Sequence, residues 1–174
     1  MHLQPVFYAA AHTVLLLALM QAGQLSSPAP VLLHVPLIKQ PYMRCLVASV
    51  SMVLKYWGHE VSPEAIGNEV PVYKDGTTGR DLADFVERIG FRGFLIQPPF
   101  DDLLSHLEKG RPLIVTLPEA GSMRHAMVLV GFNRSTDKVW LNDPASGTCR
   151  DQELGSFRKQ WEKGQRWTFL ILPK

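Results

Sequence analysis

The chain has 174 residues, enough for one domain of ordinary size, and its 46% hydrophobic and 20% charged content suits a globular fold with a real core. The formal charge is only +2, with Lys and Arg scattered rather than run together, which argues against nucleic acid or another polyanion as partner. The sequence has no internal repeat, low-complexity tract or coiled-coil heptad.

In chain order, "VFYAAAHTVLLLALMQAG" (Val6 to Gly23) is uncharged and almost wholly apolar, then gives way to "QLSSPAP". It fits the hydrophobic region of a secretory signal peptide, with Ala22 the last residue removed, or an uncleaved N-terminal membrane anchor. A buried core helix is the alternative, disfavoured because Ser26 to Pro30 reads as a linker. Residues 1–22 are thus assigned to targeting or anchoring, 23–30 to a linker and 31–174 to the folded domain. Export to the periplasm or outside the cell is expected, with membrane association, where it occurs, through residues 6–22.

"VLLHVPLIKQ" (Val31 to Gln40) predicts an apolar, β-rich lead-in ended by Pro41. Cys45 to Trp57 predicts a largely buried helix, with Ser49, Ser51 and Lys55 its polar exceptions and Gly58 a left-handed cap. A second helix starts at Ser62 as N-cap and Pro63, with Ala65 and Ile66 facing inward. "KDGTTG" predicts a turn, and Leu82, Phe85, Val86 and Ile89 lie at helical spacing in a third helix. "FRGFLIQ" is a short strand and "DDLLSHLEKG" a fourth helix ending at Gly110. The period then changes: "PLIVTL", "HAMVLVGFN", "KVWLNDP" and "RWTFLILP" read as antiparallel strands, the second and third joined by the "NRSTDK" hairpin. Helices lead and strands follow, so the class is α+β, a helical half packed on a sheet.

Cys45 opens the first helix, where unpaired N–H groups and the macrodipole favour thiolate, yet a buried structural cysteine suits that place equally well. Among the histidines of the domain, His59 and His106 read as surface residues, whereas His125 begins a strand directly after the Gly/Ser-containing "EAGSMR" loop. Asp143, in "WLNDP", ends the strand paired with that of His125, where a carboxylate would accept the second imidazole N–H. Asn142 is a second possible orienter, and a turn-forming Asp before Pro144 is the plainer account of Asp143. Gln40, five residues before Cys45, would complete an oxyanion hole with the Cys45 N–H. A Cys45–Cys149 disulfide is the competing account of the two cysteines. No Cys or His pair has zinc-ligand spacing.

In these pieces the chain resembles the papain-like bacteriocin-processing (double-glycine leader) cysteine peptidases. The resemblance runs through Gln40, "CLVAS…KYWG", "DGTTGRDL", "RIGF", "KGRPLIV", "HAMVLVGF" and "NDPASG", in order, over about Val35 to Gly147. It implies a papain-like peptidase fold, Cys45 as nucleophile, His125 as base and acid, Asp143 as orienter and Gln40 as oxyanion donor. It also implies a peptide or protein substrate, a leader-bearing one cut after small residues such as Gly-Gly; no cofactor is needed, and a monomer is expected. Leu46 and Val47 stand where the family carries Gly and Pro, which puts bulk beside the expected cleft, and Gln40 is one residue closer to the cysteine than usual. Amide or acyl transfer on the same triad, a non-catalytic peptide-binding module and a disulfide-bridged structural domain are the alternatives.

Overall fold

The structure, a computed structural model, describes residues 29–39, 44–71, 73, 76–119 and 123–174. Residues 1–28 and Gln40, and with them the targeting segment and most of the expected linker, lie outside the described residues, as do parts of the "KDGTTG" and "EAGSMR" turns.

The described elements in chain order are β1 (Val31–Leu32), α1 (Cys45–Tyr56), α2 (Pro63–Glu69), α3 (Gly79–Arg88), β2 (Phe91–Ile96), α4 (Phe100–Glu108), β3 (Leu113–Pro118), β4 (Arg124–Asn133), β5 (Lys138–Asp143), β6 (Thr148–Glu153), α5 (Leu154–Lys163) and β7 (Thr168–Pro173). The strands form one antiparallel sheet in the order β2-β7-β3-β4-β5-β6, with β1 paired to β4 at Val31–Phe132 and Leu32–Gly131. The class is α+β, as the sequence predicts.

Helix α1 is apolar on nearly every side because it is the buried pillar of the fold. Val47, Ala48 and Val50 through Leu54 are within 3% of full burial. Of its three expected polar exceptions only Lys55 faces solvent; Ser49 and Ser51 are fully buried, and Ser51 Oγ donates to the Val61 carbonyl. Gly58 adopts φ +82°, the left-handed turn that ends the helix, and Trp57 Nε1 donates to the Ile171 carbonyl at 3.0 Å, tying that end to β7. Ser62 caps α2 through the Ala65 N–H with Pro63 in the first turn. Ile66 is buried, but Ala65 is exposed: inward positions on this short helix recur at Pro63, Ile66 and Val70, and Ala65 falls between them.

The sheet is covered on both faces, not one. Helices α1 and α3 pack on the face of Ile114, Ala126, Val128, Phe169 and Ile171, with α2 against α1, while α4 and α5 pack on Leu113, Val115, Met127, Leu129 and Leu141. Alternation along β3 and β4 divides these sets, and an irregularity between Leu129 and Gly131 reverses the parity so that Phe132 joins the second. The elements β6 and α5, absent from the sequence-based reading, break the helices-then-strands order. Strand β6 is almost wholly exposed and lacks an apolar alternation, whereas Leu154, Phe157 and Trp161 of α5 do carry a helical spacing and fill the second core. The lead-in is a strand for Val31 and Leu32 only.

Candidate active site

Cys45 is the first residue of α1, whose N-cap Arg44 makes no side-chain capping bond and whose first turn carries no acid. A thiolate there is the negative charge that the helix end lacks. The sheet supplies a further donor. Thr116 sends its N–H to the Trp167 carbonyl on the β7 side, so its partner Ala126 directs its N–H away from β3. The β4–β5 ladder begins only at Val128–Asn142, which leaves that N–H without a strand partner. Cys45 Sγ takes it, at 3.5 Å.

His125 precedes Ala126, and its Nε2 lies 2.7 Å from Asp143 Oδ1. That leaves Nδ1 as the ring nitrogen available to Cys45. Asp143 is 3% exposed and fully engaged: Oδ1 also accepts the Ala145 N–H at 2.9 Å, and Oδ2 faces Arg150 Nη1 at 3.2 Å. Burial by itself would raise the Asp143 carboxyl, but the bonds from His125 and Ala145 and the nearby cations hold it below its ordinary value. Burial likewise opposes ionisation of Cys45, and the His125 bond, the Ala126 N–H and the imidazolium charge outweigh it, so the thiol sits below its ordinary value. His125 is pushed up to about 9, first by its bond to Cys45 and then, against the opposing effect of burial, by Asp143. These directions agree: near neutral pH the arrangement favours a thiolate–imidazolium pair held by a buried carboxylate.

The structure therefore brings together three of the four sequence-predicted site residues, Cys45, His125 and Asp143; Gln40 lies outside the described residues. Asn142 is not an orienter. Adjacent residues of a strand point to opposite faces, and its Nδ2 donates instead to the Val35 carbonyl at 2.9 Å, fastening the lead-in to β5. His106 is half-buried, not solvent-facing, with Nδ1 withdrawn from water and without a hydrogen-bond partner among the described residues. Cys45 and Cys149 are both free; Cys149 is exposed on β6, opposite Asn142. No group of three described His, Cys, Asp or Glu residues is arranged to hold a metal ion, and no described helix is long and apolar enough to cross a membrane.

Arg150 is the residue that sequence reasoning missed. Asp143 pairs with Thr148 across the β5–β6 hairpin, so Arg150, two residues on, is a diagonal neighbour on the same face. Assigning the "PASG" turn as a hairpin, with Gly147 at φ +70°, would have exposed this register.

Beside Cys45 lies a cleft of about 220 Å³, with Leu46, Thr116, Ala126 and Trp167 in its walls. Leu46 is half-buried at its edge, while Val47 is 3% exposed and belongs mainly to the core, so the bulk expected in the first helical turn reaches the cleft chiefly through Leu46. Gly79 is required here: a Cβ would stand 2.6 Å from the Trp167 ring.

Solved structures share this fold. A putative C39-like peptidase from Bacillus anthracis superposes with a TM-score of 0.72 at 16% identity, covering 84% of this chain and 99% of that one. A double glycine motif protease from an AMS/PCAT transporter, in complex with the leader peptide, gives 0.67 at 22% identity over 83% and 98% of the two chains. The peptidase domain of Streptococcus ComA gives 0.67 at 20% identity, over 81% and 100%. The architecture is thus the papain-like one of C39 peptidases. In sequence, the lactococcin-G-processing and transport ATP-binding protein LagD of Lactococcus lactis subsp. lactis is 26% identical over 133 residues, which are 75% of this chain but only 17% of that protein. The Peptidase_C39 like family model matches residues 32–167, and the chain belongs to that family.

Proposed function

We propose that the protein is a cysteine peptidase in which Cys45, His125 and Asp143 form the catalytic triad. The observation that supports it most is His125 held at 2.7 Å by the buried Asp143 carboxylate, one residue before Ala126, whose N–H meets Cys45 Sγ. The Cys45 thiolate attacks the scissile carbonyl, and the Cys45 N–H, with the Gln40 amide as second donor, stabilises the oxyanion. His125 passes its proton to the leaving amine, then takes one from water as that water hydrolyses the thioester. Asp143 keeps Nε2 protonated and the ring aimed at sulfur throughout.

The substrate we propose is a leader-bearing peptide. Support comes from the relatives, one named for lactococcin G processing and transport and another solved with a leader peptide bound. This chain spans 17% of the former's length, so transport is not part of the proposal. We also propose that residues 1–22 direct export, on the strength of their apolar character.

The test is cleavage of a mixed peptide pool by the purified protein, read by mass spectrometry, beside labelling of Cys45 by a thiol reagent near neutral pH without reductant. Cleavage abolished in both Cys45→Ala and His125→Ala is the expected result. Cys45 reactive without any cleavage would instead favour acyl transfer or peptide binding.

A further inference from the structure

Each member of the Cys45–His125 pair follows an arginine in sequence, and both arginines, Arg44 and Arg124, line the Cys45 cleft. None of the described residues lining that cleft is acidic. Arg124 is fixed in place without being neutralised: Nη1 donates to the Gly164 carbonyl at 3.2 Å and Nη2 to Gln165 Oε1 at 3.1 Å, both uncharged acceptors. These acceptors sit in the turn from α5 to β7, where Gln165 and Arg166 take φ +63° and +56° in succession. Non-glycine residues rarely adopt that conformation, and it persists only where surrounding structure imposes it. The same turn delivers Trp167 to the cleft wall.

Arg44 forms no ion pair among the described residues. Its guanidinium lies over Gly67, with Nη1 2.6 Å from where a Cβ there would stand. The carboxylate that senses it is Glu64, which is fully exposed and takes its main bonds elsewhere. Arg44 and Arg124 thus line the space beside the nucleophile without an ion-pair partner among the described residues, at the N-terminal end of α1, and a negative charge on the substrate would be stabilised there.

The geometry points to a cleft that selects peptides carrying a carboxylate within about a residue of the scissile bond, with Arg44 and Arg124 as the specificity-determining residues. This deepens, and rests on, the cysteine-peptidase reading above. The carboxylate belongs either to an Asp or Glu side chain or to a free chain terminus.

Two experiments test it on the full chain in a Cys149→Ser background, so that Cys45 is the only thiol. The first compares alkylation of Cys45 by anionic iodoacetate and neutral iodoacetamide at pH 7. The iodoacetate-to-iodoacetamide rate ratio is expected to exceed that of a small free thiol. It should fall roughly 3- to 10-fold in Arg44→Gln and in Arg124→Gln, and fall with added salt in the unaltered protein, as screened charges require. A ratio that ignores both substitutions and salt overturns the proposal; the salt arm needs no variant to fold. The second measures kcat/KM on peptides that place Asp, Glu, Asn or Gln at either side of the cut, and on matched peptides ending in a free carboxylate or an amide one residue beyond it. A preference for acidic over amide side chains identifies the side chain, and a preference for the free terminus identifies the terminus; either preference should shrink in both Arg→Gln variants. Equal cleavage of acidic and neutral peptides overturns the specificity and leaves the peptidase reading standing. A Cys45 inert to both reagents overturns the peptidase reading, and the specificity with it.

Discussion

Replacing Asp143 by Asn removes a buried charge from the end of a hydrogen-bonded chain while nearly preserving side-chain shape. In the native protein the carboxylate holds His125 Nε2 at 2.7 Å and accepts the Ala145 N–H at 2.9 Å. A hydrogen bond to a charged group contributes about 1.5–3 kcal/mol, and a change of one pKa unit corresponds to about 1.36 kcal/mol. The imidazole is partly open to solvent, so the lower half of that range applies, and the His125 pKa is expected to fall by about 1–1.5 units. It would move from about 9 to between about 7.5 and 8. The sign follows from which form the carboxylate favours: it stabilises the imidazolium, so its loss narrows the range of the thiolate–imidazolium pair from the alkaline side. The assay is NMR titration of the His125 ring in the intact protein. Cys45→Ser should lower the value further, because the bond to Cys45 is the largest influence raising it. A His125 that titrates near 6.5 in the unaltered protein, or one that Asp143→Asn leaves unmoved, would refute the reasoning.

Stability should depend on pH through the same groups. The raised His125 contributes fully below 6.5 and its contribution is lost as pH rises through about 9. The depressed Asp143 contributes fully above 3.8 and loses its contribution as pH falls through its lowered value. The lowered Cys45 thiol gains over about pH 6.5 to 9 what the raised His125 loses, so urea midpoints are expected to hold across that window and to decline as pH falls below it. Asn142→Ala strips the buried Val35 carbonyl of its donor and should cost about 1–3 kcal/mol in urea unfolding; an unchanged midpoint would mean that the lead-in is held by other contacts. Arg150→Ala opens a partly solvated ion pair and should cost no more than about 1 kcal/mol, with the loss present at pH 7 and shrinking as pH falls through the lowered Asp143 value. Trp161→Ala empties a fully buried site between Phe100 and Phe157 and should cost about 3–5 kcal/mol by the same method.

By itself the sequence determined the class, the extent of most helices and strands, and the identity of the nucleophile, base and orienter as candidates. Those features are local or nearly so: the helical period of Leu82, Phe85 and Val86, the Ser62–Pro63 start, the Gly58 stop, and a hairpin that places Asp143 beside the strand of His125. Tertiary structure decided the rest. That Cys45 sulfur receives the Ala126 N–H depends on where the β5 ladder stops, which no spacing reveals. That Asp143 orients the ring while Asn142 anchors Val35 depends on which face of β5 each residue occupies, and that in turn is fixed by pairing with β4. Arg150 entered the site because β6, an exposed edge strand with no apolar pattern, folds back against β5. Arg44 and Arg124 lie about eighty positions apart in the chain and face one cleft only once α1 is packed on β4. Periodicity records which side of an element is apolar; it does not record which polar groups the packing leaves facing one another.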